Sequence, residues 1–363
     1  AAVPGAPLLL DGALLDGGAA AEGRSFEIVA AFSGDPWQHV GLGSDFTAAP
    51  WIIFSTFSGG GALYARSADA SGAFQNTQLP GDWLGAPHRL RIDRGAGDAV
   101  FSIDGAVVAR HAAAPGGALR LLASDYGVVG GALQLDSIES FTPGLRLALD
   151  AAALPAGWTA GAFGEGGGAR LGGGVLTVDG ALAGTEASFT PGRTLTAVAT
   201  FSGDPWQHLG LGTDLSGAPW ALFSTYGGGG LYARTSSGAG ATDTALPASL
   251  LGAPHRFRID WTEAGVVFRV DGVVVAAHGP VLGEMRPALS DLTPGGGALL
   301  VSALEVREAV VRTELGGAAL PEGLSATPWA EGGRDQLQAA CTLAWQAAQA
   351  LAAVGLRSEE HTS

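Results

Sequence analysis

The sequence predicts an all-β protein built as two tandem antiparallel β-sandwich domains. Three observations carry this expectation. Glycine supplies 59 and proline 19 of 363 residues, and only 15% are charged, a composition of strands joined by tight turns. Asp104-Gly105 and Asp271-Gly272 each separate two apolar runs. That is a strong hairpin signal, because a type I′ turn needs the positive φ that these residues tolerate. Finally, the chain repeats itself. Phe32-Ser33-Gly34-Asp35-Pro36-Trp37-Gln38-His39-Val40-Gly41-Leu42-Gly43 returns at Phe201 to Gly212 with only Val40 changed, to Leu209. Residues 84–93 return as 251–260 with Phe257 in place of Leu90.

The repeat serves as a ruler. Its offset drifts from 169 (Phe32/Phe201) through 168 (Tyr64/Tyr232) and 167 (His88/His255) to 166 (Pro155/Pro321), as one-residue indels in loops would produce. A period this long marks tandem globular domains, each large enough to bury its own core. The opener Leu154-Pro155-Ala156-Gly157-Trp158 has no counterpart before Pro7, so residues 1–144 are expected to form an N-terminally truncated first domain. Residues 145–312 form the second, and the echo Leu320-Pro321-Glu322-Gly323-Leu324 places the start of a truncated third repeat at 313–334. Residues 335–363 leave the pattern: 335–356 are Ala/Gln-rich, and 357–363 read like translated sequencing adapter. No biology is expected of them.

Strand by strand, residues 194–200 alternate small or polar with apolar side chains. His255, Phe257, Ile259 and Trp261 share one face of the next strand, with Arg256, Arg258 and Asp260 on the other. Residues 266–270 and 273–276 flank the second Asp-Gly turn, and 299–305, matched by 133–139, give a last long strand. No segment before residue 335 keeps a helical period.

The net charge of −15, with arginine as the sole basic side chain beyond histidine, argues against nucleic acid and anionic membrane surfaces as partners. No run reaches the ~18–20 apolar residues of a membrane span, so no membrane insertion is expected. The sole cysteine is Cys341, which leaves the two domains without disulfides, Cys-ligated zinc or a cysteine nucleophile.

His255-Arg256-Phe257-Arg258-Ile259-Asp260-Trp261, followed by Val267-Phe268-Arg269-Val270-Asp271-Gly272, resembles a signature of the concanavalin A-like lectin/glucanase superfamily. That superfamily includes laminin-G-like modules and glycoside hydrolase family 16. The resemblance implies jelly rolls, with ligands on the concave face of a curved sheet or at its rim. For the glucanase branch it also implies a Glu-x-Asp-x-(x)-Glu strand that supplies nucleophile, helper and acid/base. The nearest approach is Gln134-Leu135-Asp136-Ser137-Ile138-Glu139, with Gln where the nucleophile should stand, and the second copy has Leu300, Ser302 and Glu305. One carboxylate cannot be both nucleophile and acid, so no catalysis is expected.

Three histidine pairs recur, His39/His208, His88/His255 and His111/His278, without HxH or HExxH spacing. Hydrogen-bonded, partly buried side chains are therefore preferred over a metal site. Ser124-Asp125 and Ser290-Asp291 enter loops of the kind that hold structural calcium in many lectin-like jelly rolls. They lack the dense Asp/Asn set such an ion wants, so no cofactor is expected and calcium is not indicated.

The candidate ligand-binding set is aromatic and polar: Trp37, Gln38, Asp45, Trp51, Tyr64 and Arg66, matched by Trp206, Gln207, Asp214, Trp220, Tyr232 and Arg234. Flat rings stack on sugars while Asp, Gln and Arg bond hydroxyls. Gly59, Gly60 and Gly61 run beside them and would let loops approach a ligand. The competing reading makes Trp37 and Trp51, beside Pro36 and Pro50, core plugs, with the glycines serving turns. The expectation is a non-catalytic carbohydrate-binding or adhesion module, with a polysaccharide or glycan as partner, extracellular or on the cell surface of a bacterium. A structural spacer or protein-interaction module, and a degenerate glycoside hydrolase, stand as alternatives.

Overall fold

A computed structural model describes residues 7–17, 23–44, 48–95, 97–112, 115–128, 130–215, 217–315, 320 and 324–328. Residues 335–363, with Cys341, lie outside the described residues, as does Asp45. Every regular element described is a β-strand apart from one 3-10 turn, Ala248–Leu250. Among the described residues, no helix is long and apolar enough to cross a membrane.

The chain divides into two compact units, one of Pro143–Val310 and the other of Ala2–Thr142 together with the chain from Val311 onward. Each unit is an antiparallel jelly-roll sandwich. In the N-terminal unit one sheet runs Ala106–Ala112, Asp98–Ile103, His88–Arg94, Ser25–Ala31 and Leu133–Arg146, with Leu8–Leu10 paired to the last. The facing sheet runs Ser325–Pro328, Ala13–Asp16, Arg120–Asp125, Gln38–Gly43, Trp51–Ser55, Tyr64–Ala68 and Phe74–Gln78. The second unit repeats that order in Trp158–Ala162, Ala181–Thr185, Arg286–Asp291, Gln207–Gly212, Trp220–Ser224, Leu231–Ser236 and Ala241–Leu246.

Period-2 alternation explains which side chains go inside. Val40 and Leu42, Ile52 and Phe54, and Ala65 point into the N-terminal core, where Phe26, Phe32 and Phe101 meet them. The intervening Trp51, Ile53, Ser55, Tyr64 and Arg66 therefore lie on the opposite face of the sheet, where Ile53, Ser55 and Arg66 are buried in turn. Burying each such phenylalanine is worth about 2 kcal/mol against leaving it in water. Trp261 is completely buried in the second core, and its indole N–H finds the Val281 carbonyl at 2.6 Å, so the ring carries no unpaired donor.

Both Asp-Gly turns form as expected: Asp104 and Asp271 take φ of 51° and 50°, followed by Gly105 and Gly272 at 90° and 88°. Each aspartate then reaches out of its hairpin to the strand before it, accepting from the backbone amide of Arg89 or Arg256 and holding a histidine, His88 Nδ1 at 2.7 Å from Asp104 and His255 Nδ1 at 2.7 Å from Asp271. His111 has another role. It leaves its own sheet to contact Ser67 Oγ at 2.8 Å and Thr77 Oγ1 at 3.0 Å on the facing one. His278 repeats this with Thr235 and Thr244, both at 2.9 Å. Two of the three histidine pairs, His88/His255 and His111/His278, are thus hydrogen-bonded, on separate segments.

Candidate functional site

The repeated motif around Trp37 is a scaffold that exposes one ring. Ser33 Oγ donates to the Gly131 carbonyl at 2.7 Å, and Thr56 Oγ1 to that of Asp35 at 2.5 Å. Gln38 Nε2 donates to Asp125 Oδ2 at 2.7 Å and to Gly131 O at 2.9 Å, while its Oε1 accepts from Ser33 N. Asp35 in turn accepts from the Gly131 amide. The second unit rebuilds this network with Ser202, Asp204, Gln207, Thr225, Asp291 and Gly297. Gln38 and Gln207, expected at a ligand surface, are completely buried and spend their amides on these internal bonds.

The turn so fixed forces its aromatic residue into the left-handed region, with φ of 64° at Trp37 and 65° at Trp206. Phe57 and Tyr226, which abut the same turn, sit at 56° and 47°. The Trp37 amide donates to the Phe57 carbonyl at 2.8 Å and that of Trp206 to Tyr226 at 2.7 Å, locking the two left-handed residues together. This conformation costs a bulky residue about 1–2 kcal/mol, and such strain gathers at binding and catalytic sites. The glycines at 59–61 serve the turn. Gly61 N donates to Gly34 O, and a Cβ on Gly60 would come within 2.6 Å of that same carbonyl.

From this turn a row of rings crosses the outward face of the sheet. Trp37 meets Phe57 edge-on at 5.8 Å, and Phe57 meets Tyr64 at 6.0 Å. The Arg66 guanidinium lies 4.0 Å from the Phe57 ring and 5.1 Å from Trp51, linking Trp51 to the middle of the row. In the second unit Trp206 and Tyr226 are 5.1 Å apart, Tyr226 and Tyr232 are 6.4 Å apart, and Arg234 sits 4.1 Å over Tyr226 and 5.3 Å over Trp220. Trp37 is 39% and Trp206 38% exposed, so neither is a core plug. Trp51, Trp220, Tyr64 and Tyr232 are half-buried, and both arginines are buried beneath the rings. The arginines are held differently, Arg66 Nε by the neutral Asn76 at 2.8 Å and Arg234 Nε by Asp243 at 2.8 Å.

The sequence set therefore splits. Trp37, Trp51, Tyr64 and Arg66 come together, as do Trp206, Trp220, Tyr232 and Arg234. Asp214 lies at the far end of Gln207–Gly212, about 20 Å from Trp206 by strand rise. There it helps to line a recess of about 270 Å³ with Thr159, Phe163, Leu182, Thr185 and Arg286. Phe57 and Tyr226 are absent from the sequence set. The signal was present: both are aromatic at offset 169, Tyr226 directly before its glycine run and Phe57 one residue, Ser58, ahead of its own.

Burial shapes the charges around the row. His39 is held down to about 3 by desolvation and then by Arg66, and His208 to about 4 by desolvation and then Arg234, so both are neutral at pH 7. Asp125 is pushed up to about 6 by burial, against the opposing hydrogen bond from Gln38, and Asp291 is raised for the same reason.

Glu139 and Glu305 sit elsewhere. The strand Leu133–Arg146 belongs to the facing sheet, where Glu139 stands in register with Glu27. Arg312 holds Glu139 at 2.5 Å, Arg89 holds Glu27 at 2.9 Å and Arg307 holds Glu305 at 2.9 Å. Among the described residues no group of three or more His, Cys, Asp or Glu is placed to hold a metal ion.

No protein-family model matches this sequence, and no curated protein matches it. Solved structures do. A pseudo β-1,3-glucanase and immunostimulatory antigen of Mycobacterium tuberculosis aligns over 46% of this chain and 99% of its own, at 16% identity and a TM-score of 0.37. An endo-β-1,3-glucanase from Pyrococcus furiosus aligns over 47% and 95%, at 11% identity and 0.39. The laminarinase from Rhodothermus marinus aligns over 46% and 96%, at 16% identity and 0.35.

Proposed function

We propose that the chain is a non-catalytic carbohydrate-binding or adhesion module, with one binding row in each tandem unit. The observation that carries this reading is the strained, solvent-facing tryptophan that opens a ring–arginine–ring row, built twice by the same buried network. A fold that needed only a turn would place glycine or asparagine at φ near 65°. Tryptophan there leaves a flat apolar face in water, the surface on which a sugar ring stacks, with the half-buried Tyr64 or Tyr232 in the same row to bond hydroxyls and the arginine beneath to carry charge. An exported setting, at the cell surface or beyond it, fits two repeats that contain no thiol. Surface labelling of intact cells by an antibody to the repeats checks that setting.

Polysaccharide pull-down and a glycan array test the binding. Wild-type protein is expected to be retained on at least one polysaccharide, and Trp37→Ala with Trp206→Ala to be lost from it while keeping its β-sheet circular dichroism. Retention undiminished in that double variant would sink the reading. Release of reducing sugar by the pure protein would replace it with an enzyme.

A further inference from the structure

We propose that the outer edge of Ala13–Asp16 is an acceptor site for a repeat-opening segment: a short extended peptide of the type Leu-Pro-x-Gly-Trp/Leu, recognised by strand pairing and an apolar anchor. In the second unit the opener is local. Trp158–Ala162 pairs with Ala181–Thr185, Trp158 against Thr185 through Ala162 against Ala181. The Trp158 ring is 7% exposed and belongs to the core, with Leu154 packed against it. Gly157, at φ 80°, makes the turn that brings the ring in.

In the N-terminal unit the equivalent edge is also filled, by a segment from the other end of the chain. Ser325–Pro328 pairs with Ala13–Asp16, Asp16 against Ser325 through Ala13 against Pro328. The repeat ruler shows that the two slots match. Asp11-Gly12-Ala13-Leu14 corresponds to Asp179-Gly180-Ala181-Leu182 at offset 168, and the openers correspond at 166. Ala13 opposite Pro328 is then the same pair as Ala181 opposite Ala162, and Asp16 opposite Ser325 the same as Gly184 opposite Thr159. Leu320, Leu324 and Ala326 pack on the N-terminal core, with Leu324 in the place of Trp158.

One edge, one register and one kind of anchor are thus served by two connectivities. The chain link between Ala162 and Ala181 spans a short loop and hairpin, whereas Asp16 and Ser325 are separated by most of the sequence. Pairing that survives such a change of linkage resides in the segment and the edge. Strand addition of this kind draws its affinity from main-chain hydrogen bonds and its specificity from the anchored side chain.

The test uses the full-length chain and a dye-labelled peptide of residues 154–162, Leu-Pro-Ala-Gly-Trp-Thr-Ala-Gly-Ala. Leu324→Asp with Ala326→Pro removes the anchor and the amide opposite Leu15, unseating the resident strand. Fluorescence anisotropy is expected to show this variant binding the peptide about tenfold or more tightly than wild type, whose slot is filled. A folded variant that takes up no more peptide than wild type overturns the proposal. Should the variant fail to fold, Leu14→Cys with Thr327→Cys in a Cys341→Ser background reads the seating directly, since these positions are register partners. Disulfide formation on mild oxidation, within one chain or between two, supports the site, and its absence overturns it.

Discussion

A tryptophan at φ near 65° is a conformational choice that glycine makes at no cost, so the strain at Trp37 and Trp206 separates what the turn needs from what the ring does. Trp37→Gly is expected to leave the fold more stable than Trp37→Ala by about 1 kcal/mol, because alanine keeps the left-handed penalty and glycine does not. Urea denaturation of the two variants gives that difference, and equal midpoints would mean that the turn relaxes. Both variants should lose polysaccharide retention alike. The sequence made Trp37, Trp51, Tyr64 and Arg66 legible as a set because they recur together. It could not separate Gln38 from them, since a buried amide and a ligand-facing amide recur equally well. Only the partners, Asp125 and the Gly131 carbonyl, reveal which Gln38 is. Phe57 escaped notice because, beside a run of glycines, an aromatic residue reads as loop.

The hairpins were the most readable elements, because Asp-Gly fixes the turn and alternation fixes the face. The network joining Gln38 to Asp125 and the loop at Gly131 was invisible in sequence, being made of contacts across 87 and 93 positions. Gln38→Leu should cost about 1–3 kcal/mol, since it leaves Asp125 buried with fewer donors. Thermal unfolding checks this, and an unchanged midpoint would refute the role. The two central strands also carry a pH signature. His39 and His208, lowered to about 3 and 4 by burial, contribute stability that is full above 6.5 and is lost as pH falls toward those values. Asp125, raised to about 6, works the other way: its contribution is full below 3.8 and is lost as pH rises through 6. The double variant His39→Gln, His208→Gln is therefore expected to lose less stability than wild type between about pH 6.5 and 4.5, as followed by denaturant titration. Parallel profiles would assign the acid sensitivity elsewhere.

At the scale of the molecule, the repeat ruler located the opener at Leu320 but not its destination. Strand pairing between Asp16 and Ser325 leaves no local periodicity, and nothing in a one-dimensional pattern tells which edge a segment will join. Two rows in one chain should also act together on a polymer. Trp37→Ala alone is expected to weaken retention on a long polysaccharide by about tenfold or more while leaving one working site for a short oligosaccharide. Titration calorimetry with both ligands distinguishes this from two independent sites, in which the affinities of the remaining row would be the same for both. The duplicated rows have also diverged in one respect. Arg66 rests against a neutral amide and Arg234 against a carboxylate, so the first row keeps a positive charge that the second cancels. The two sites should then sort ligands by charge, the first favouring uronic or sulfated sugars and the second neutral ones. Asn76→Asp would erase that preference, and added salt, which screens over about 10 Å at 0.1 M, would weaken only the first. On the binding proposed above, duplication would give one chain two rows that differ in the charge of the glycan each prefers.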